Sequence, residues 1–271
     1  MKRPIRRKQN GTPRFRFLLP LAGFLLLTAG CMADRFIFRP PVHGLTPPAD
    51  MVVLPVAPQC RITALYQPVP NSVYTILYSH GNSETLNFCR PVLDDFNRHG
   101  YSVIAYDYEG YAASDGQPSE TGCYRDVEAI YRWLTETRKI PARRIVIYGR
   151  SVGGGPSCYL AARHPEAGAL VLECTFTSTF RVVLPFTLPG DRFPNLDYIR
   201  ENRLPLLIFH GDADRLIDFS HGEKLAAEAT ADYKIFVPIC GAGHNNLKKV
   251  ADQRYWQALN GFLGSLPSAT R

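Results

Sequence analysis

At 271 residues, 45% of them hydrophobic, the chain is long enough to bury a substantial core in one large domain or two small ones. A formal net charge of +7 would suit a nucleic-acid binder, but the excess sits at one end. Lys2, Arg3, Arg6, Arg7, Lys8, Arg14 and Arg16 precede residue 31 with no Asp or Glu among them, which leaves 24 basic against 24 acidic residues and excludes a nucleic-acid partner.

In chain order, the basic start is followed by an apolar run, Phe17 to Ala29, interrupted by Pro20. At about thirteen residues it is shorter than the ~20 a membrane-spanning helix needs, so residues 1–30 read as a secretory signal peptide. The run ends Leu27-Thr28-Ala29-Gly30-Cys31, which resembles the lipobox of bacterial lipoproteins, although Thr28 stands where leucine is usual. The resemblance implies an acylated Cys31 as the new N-terminus, held durably because two or more chains anchor where one does not. The expected location is the cell envelope of a bacterium, on a membrane and facing the periplasm, and Met32 is compatible with sorting to the outer membrane. Residues 31–59 then form a tether stiffened by Pro40, Pro41, Pro47, Pro48, Pro55 and Pro58 that wraps onto the first strands of a domain over 60–265. With Cys31 acylated, six cysteines remain; an oxidising compartment permits disulfides in any of 15 connectivities. Cys158 and Cys174, in apolar runs, read as buried free thiols. No C-x-x-C or clustered His/Cys spacing occurs, so no metal and no cofactor is expected.

Apolar, β-rich runs at Val73–Tyr78, Ser102–Tyr106, Arg144–Tyr148, Ala169–Glu173, Leu206–Phe209 and Tyr233–Val237 read as strands. Helical stretches alternate with them: Pro91–Arg98, 120–137 capped by Ser119, 152–163, 219–229, and a closing helix carrying Leu247, Val250, Ala251, Tyr255, Leu259 and Phe262. Alternation of this kind means right-handed crossovers and a mostly parallel central sheet flanked by helices, an α/β fold. Ligands bind such sheets beyond the carboxyl ends of the strands, where His80, Asp107, Ser151, Asp214 and His244 gather.

The most informative stretch is Gly149-Arg150-Ser151-Val152-Gly153, between a buried strand and a helix. Strand, G-x-S-x-G, helix is the setting of a nucleophile elbow, which presents a serine hydroxyl on a turn too sharp for a Cβ at either glycine. Acyl transfer by serine also needs a base, an acid that orients it, and donors for the oxyanion. After a later strand, Asp212 and Asp214 compete for the acid, and Asp214 is favoured because it lies deeper in the loop while Asp212 sits in the tight turn. Of seven histidines, His43 is in the tether, His99 and His164 are at helix ends, His221 is on a helix, and His80 and His210 end strands. His244 follows the last strand and completes the order Ser, Asp, His. The main-chain N–H groups of Val152 and Asn82 are the expected oxyanion donors, at a helix N-terminus that favours negative charge.

With these stretches in hand, residues 60–265 resemble the α/β-hydrolase superfamily. Ser79-His80-Gly81-Asn82, Tyr106-Asp107-Tyr108-Glu109-Gly110-Tyr111, His210-Gly211-Asp212-Ala213-Asp214, Ile217-Asp218-Phe219-Ser220-His221-Gly222 and Gly241-Ala242-Gly243-His244-Asn245 join the elbow in resembling its small serine hydrolases, which include eukaryotic membrane-bound protein depalmitoylases. The resemblance implies Ser151, Asp214 and His244 as the catalytic triad. Ala112 departs from the glycine many relatives carry, and the signal replaces their palmitoylated N-terminus, so their cellular substrates do not carry over. Between Cys174 and Leu204 the usual lid is short and apolar; Phe176, Phe180 and Phe186 are either sheet-edge packing or an acyl-binding wall. The expected function is hydrolysis of small-molecule or acylated esters and thioesters at a membrane. An acyltransferase or peptidase with the same triad is the alternative, and a non-catalytic tethered binding protein sits poorly with a complete set of catalytic parts.

Overall fold

The apolar runs come together as one eight-stranded sheet in the computed structural model, which describes residues 34–35, 37–184 and 190–267. The strands are β1 (Val52–Ala57), β2 (Cys60–Gln67), β3 (Thr75–Ser79), β4 (Ser102–Tyr106), β5 (Ile145–Arg150), β6 (Ala169–Glu173), β7 (Leu206–Gly211) and β8 (Lys234–Ile239). Their order across the sheet is β1-β2-β4-β3-β5-β6-β7-β8. β2 runs antiparallel to both neighbours, and from β4 to β8 every pairing is parallel. β1 lies inside the stretch expected to be tether, so the sheet takes in residues ahead of 60; its alternation of half-buried and exposed positions marks an edge strand rather than a spacer. The inner strands β3, β4 and β6 are buried at every position, as a sheet covered on both faces requires.

The helices are α1 (Leu86–Arg98), α2 (Glu120–Arg132), α3 (Gly154–Arg163), α4 (Asn195–Glu201), α5 (Phe219–Glu228), α6 (Leu247–Ala251) and α7 (Gln253–Ser265). α2 to α5 cover one face, where Val127, Ile130, Leu160, Ile199 and Leu225 meet Leu77, Ile104, Ile147 and Leu172. α1, α6 and α7 cover the other, where Leu93, Phe96, Leu247, Leu259 and Phe262 meet Tyr78, Val146, Tyr148 and Phe209. Each such side chain, fully buried, is worth about 1.5–3 kcal/mol.

Three helices differ from their sequence pattern. α1 starts five residues before Pro91, because the Thr85 side chain caps it by accepting from the Phe88 N–H. The stretch after α2 widens into a π-helical turn over Trp133–Thr137. The closing helix is broken at Asp252, whose φ of 48° cannot continue an α-helix. α4 was not anticipated. Proline occurs on both edge strands, as Pro55 in β1 and Pro238 in β8, exposed in each case. Among the described residues no helix is long and apolar enough to cross a membrane, and none of the six described cysteines is paired.

Candidate active site

The elbow between β5 and α3 places Ser151 at a φ of 53°, left-handed backbone that costs a non-glycine residue about 1–3 kcal/mol. The flanking glycines make that turn fit. A Cβ on Gly149 would lie 2.5 Å from the Gly153 carbonyl oxygen, and one on Gly153 would run into the Ser79 carbonyl of β3. The Ser151 carbonyl is fixed in turn by the Thr175 hydroxyl, which donates to it at 2.7 Å.

Beyond β7, the Asp214 carboxylate accepts from the N–H groups of Leu216 and Ile217 through Oδ1, both at 2.9 Å, and its Oδ2 lies 2.7 Å from His244 Nδ1. His244 Nε2 is 3.0 Å from Ser151 Oγ. The structure therefore brings Ser151, His244 and Asp214 into one line of hydrogen bonds, all three buried. Asp212 faces away, exposed, and accepts from the Gly241 N–H at 2.6 Å. A second imidazole, His210, donates through Nε2 to the Ile217 carbonyl at 2.9 Å and lies 3.5 Å from Asp214 Oδ2. Burial pushes the Asp214 pKa up, but bonds from His210, His244 and the Ile217 N–H outweigh it and hold the carboxyl well below the usual carboxylate range. An imidazole held by an ionised carboxylate on one side, with a hydroxyl on the other, can take that hydroxyl's proton as an acyl carbon is attacked.

Asn82 follows β3 on the loop facing the elbow. Its Oδ1 accepts from the Arg39 N–H at 2.9 Å and from the Tyr111 hydroxyl at 2.8 Å, and its Nδ2 donates to the Ile37 carbonyl at 2.5 Å. With its side chain engaged in this way, the group it can offer a ligand is its main-chain N–H. Val152, the other expected donor, is the middle residue of the short helical turn Ser151–Gly153 that leads into α3 and is buried.

Sequence reasoning named Arg150 but gave it no task, and the structure gives it one. Its side chain, 12% exposed, pairs with Glu84 and lies 3.4 Å from Glu173. It donates through Nη2 to the His244 carbonyl at 3.2 Å and to Asn245 Oδ1 at 2.9 Å. Glu84 accepts from the Gly81 N–H at 2.7 Å. One guanidinium thus ties the loop that carries Asn82 to the loop that carries His244. No local pattern announces this, because Glu84 is 66 residues from Arg150 and His244 is 94. Removing one partner of a buried ion pair costs about 3–5 kcal/mol because the other charge is stranded. Arg150→Met is therefore expected to lower the urea midpoint of unfolding by that equivalent, and Glu84→Gln added to it should cost less than the two changes made separately.

Of the phenylalanines considered for an acyl-binding wall, Phe176 is 4% exposed and packs against Phe193 with centroids 6.4 Å apart, which is core packing. Phe180 is half-buried in a short turn after β6. Phe186 and Cys31 lie outside the described residues, as do residues 1–30. Cys174, at the end of β6, is buried with a φ of 47°, and its sulfur is within 4.8 Å of ligand atoms of Asp214 and His244. Burial pushes its thiol well above the usual range, so it is neutral. A surface concavity of about 460 Å³ lined by Tyr74, His99, Tyr101, Asn260 and Leu263 lies at the opposite, amino ends of β3 and β4.

A strand order running antiparallel, then parallel, with a strained serine after β5 and acid and imidazole after β7 and β8, defines the α/β-hydrolase class. A family model described as alpha/beta hydrolase fold matches residues 74–192. Alpha/beta hydrolase domain-containing protein 17B of Homo sapiens is 39% identical over 199 residues, which is 72% of this chain and 67% of that protein. Alpha/beta hydrolase domain-containing protein aho-3 of Caenorhabditis elegans is 36% identical over 212 residues, 76% of this chain and 62% of that protein, so the chain spans just under two thirds of the nematode protein's length. Among solved structures, the Pyrococcus furiosus esterase Pf2001 superposes with a TM-score of 0.69 at 16% identity, covering 84% of this chain and 97% of that one. The esterase domain of a Rhodothermus marinus protein superposes with a TM-score of 0.59 at 22% identity, covering 78% and 95%. The structures share the fold. The chain belongs to the alpha/beta hydrolase family, beside the domain-containing protein 17 group, and is a hydrolase.

Proposed function

We propose that the protein cleaves carboxylic esters and thioesters through an acyl-enzyme on Ser151. The single observation that carries this is the unbroken line from Ser151 Oγ to His244 Nε2 at 3.0 Å and from His244 Nδ1 to Asp214 at 2.7 Å. Ser151 Oγ bonds to the acyl carbon as its proton passes to His244 Nε2. The tetrahedral oxyanion is met by the N–H groups of Asn82 and Val152. Collapse expels the alcohol or thiol, which takes the proton from His244. A water then repeats the sequence, losing its proton to the imidazole, and releases the acid. Asp214 keeps Nδ1 protonated and steadies the imidazolium.

Acyl esters and thioesters held at a membrane are the favoured substrates, given the order basic run, apolar run, small residues, Cys31, which supports a lipid anchor. On this reading Cys31 carries the lipid anchor and residues 1–30 are removed. Incubation with a fluorophosphonate followed by peptide mapping tests the assignment: the expected adduct is on Ser151, formed much more slowly in His244→Ala. An adduct on another residue, or equal rates in both proteins, would overturn it. Acyl esters and thioesters of graded length, offered with and without an amine or alcohol acceptor, give the chain-length preference, and transfer outrunning hydrolysis would make the protein an acyltransferase instead.

A further inference from the structure

The segment that follows Cys31 does not hang free of the site. Asp34 pairs with Arg192 at 3.0 Å. Phe38 is 4% exposed with its ring edge-on to Phe193, centroids 6.0 Å apart. Ile37 and Arg39 grip the Asn82 side chain, and further along Val42 and Leu45 exchange main-chain bonds with Ala112 at 2.7 and 2.9 Å. Residues 34–45 are thus a strap across the catalytic end of the sheet, fastened to the stretch after β6 on one side and to the Asn82 loop on the other. Arg192 is itself locked to the start of that stretch, because the Thr179 N–H donates to its carbonyl at 3.0 Å.

Cys31 is three residues from Asp34, a reach of at most about 11 Å for extended chain. An acyl group on Cys31 therefore holds the strap, and with it the mouth of the site, against the bilayer. The rim there has the composition such a position calls for. Val183 is 78% exposed and Leu216, beside Asp214, is 60% exposed. Arg35 and Arg39 on the strap and Arg215 beside Leu216 are exposed, as are Asp212 and Asp218.

We propose that the rim carrying Val183, Leu216, Arg35 and Arg39 rests on an anionic lipid surface, so that Ser151 faces acyl groups held in that surface. This rests on the reading of Ser151 as nucleophile and Cys31 as anchor. Basic side chains meet anionic headgroups, and exposed aliphatic side chains enter the interface beneath them.

The test uses the full chain, processed in a bacterial host that makes lipoproteins and reconstituted into vesicles of phosphatidylethanolamine and phosphatidylglycerol. Amide hydrogen exchange is compared with that of detergent-solubilised protein. Slowing at Thr179–Val183 and Arg215–Ile217, with no change at Gly100–Tyr101 and Leu263–Leu266, is expected. Slowing at the latter end instead, no slowing at all, or failure of the protein to enter vesicles would each overturn the proposal. A second arm uses Arg35→Glu combined with Val183→Glu. Hydrolysis of a water-soluble short-chain ester should be unchanged, while turnover of a long-chain ester embedded in the vesicles should fall roughly ten-fold or more. An equal loss on both substrates, or none on either, would sink it. Exchange is read without catalysis, so a wild-type protein inactive on the soluble ester would refute the Ser151 reading and leave the orientation to be judged by itself.

Discussion

Ser151→Ala is expected to reduce kcat on the order of 10⁴–10⁶-fold, with KM changed little. In the proposed mechanism the hydroxyl makes the bond to the acyl carbon, and with it gone only the oxyanion donors and substrate binding remain. The fold should persist, since the Ser151 hydroxyl bonds His244 while the turn itself is held by its glycines and by Thr175. Alanine at a φ of 53° carries the same backbone penalty as serine, so the melting temperature should move little. Steady-state kinetics beside a thermal melt on one preparation checks both halves. A variant that keeps most of its esterase activity would remove Ser151 from the mechanism.

Asp214→Asn is the second large effect. The amide keeps the size of the carboxylate but presents His244 Nδ1 with a group that can hold the wrong tautomer, and the expected loss in kcat is on the order of 10⁴-fold. The same residue leaves a mark on stability. Its folded pKa is depressed, so its stabilising contribution is present above the unfolded carboxyl value of about 3.9 and is lost as pH falls through the lower folded value. Wild-type stability should therefore drop below about pH 4 in part because of Asp214, and Asp214→Asn should flatten that limb of a denaturation series. If the two proteins lose stability in parallel on acidification, the carboxylate is not held as the geometry implies. Asp212→Asn, at an exposed side chain that accepts from the Gly241 N–H, should alter kcat by less than about ten-fold.

The parallel part of the sheet was readable because its inner strands, covered on both faces, are runs of apolar residues that leave little choice of periodicity, whereas the antiparallel β1 and β2 are not among the strands those runs mark. The elbow was readable because its glycines answer to contacts that any strand-turn-helix of that sharpness makes. Less was readable where a helix boundary depends on a single side chain or torsion. Thr85 moves the start of α1 upstream of the proline that seemed to begin it, and the positive φ of Asp252 splits what the apolar spacing draws as one helix. The choice of Asp214 over Asp212 rested on loop depth, whereas what separates them in space is the approach of His244, 30 residues on. The grip of Ile37 and Arg39 on Asn82, and of Arg150 on two loops, join residues 43 to 94 apart. A side-chain bond of that span leaves no periodic trace in the chain, and the proline spacing of residues 31–59 suggested a spacer where the fold has a strap and a strand.

Pro55 and Pro238 occupy the two margins of the sheet. Each removes one main-chain donor from the row that another copy would need in order to add its own strand. With the proposed anchor on Cys31, the population would be confined to two dimensions, where collisions between neighbours are far more frequent than in bulk solution. Under that crowding, the margins themselves discourage end-to-end stacking of sheets into fibrils, and the copies can be dense without polymerising along this route.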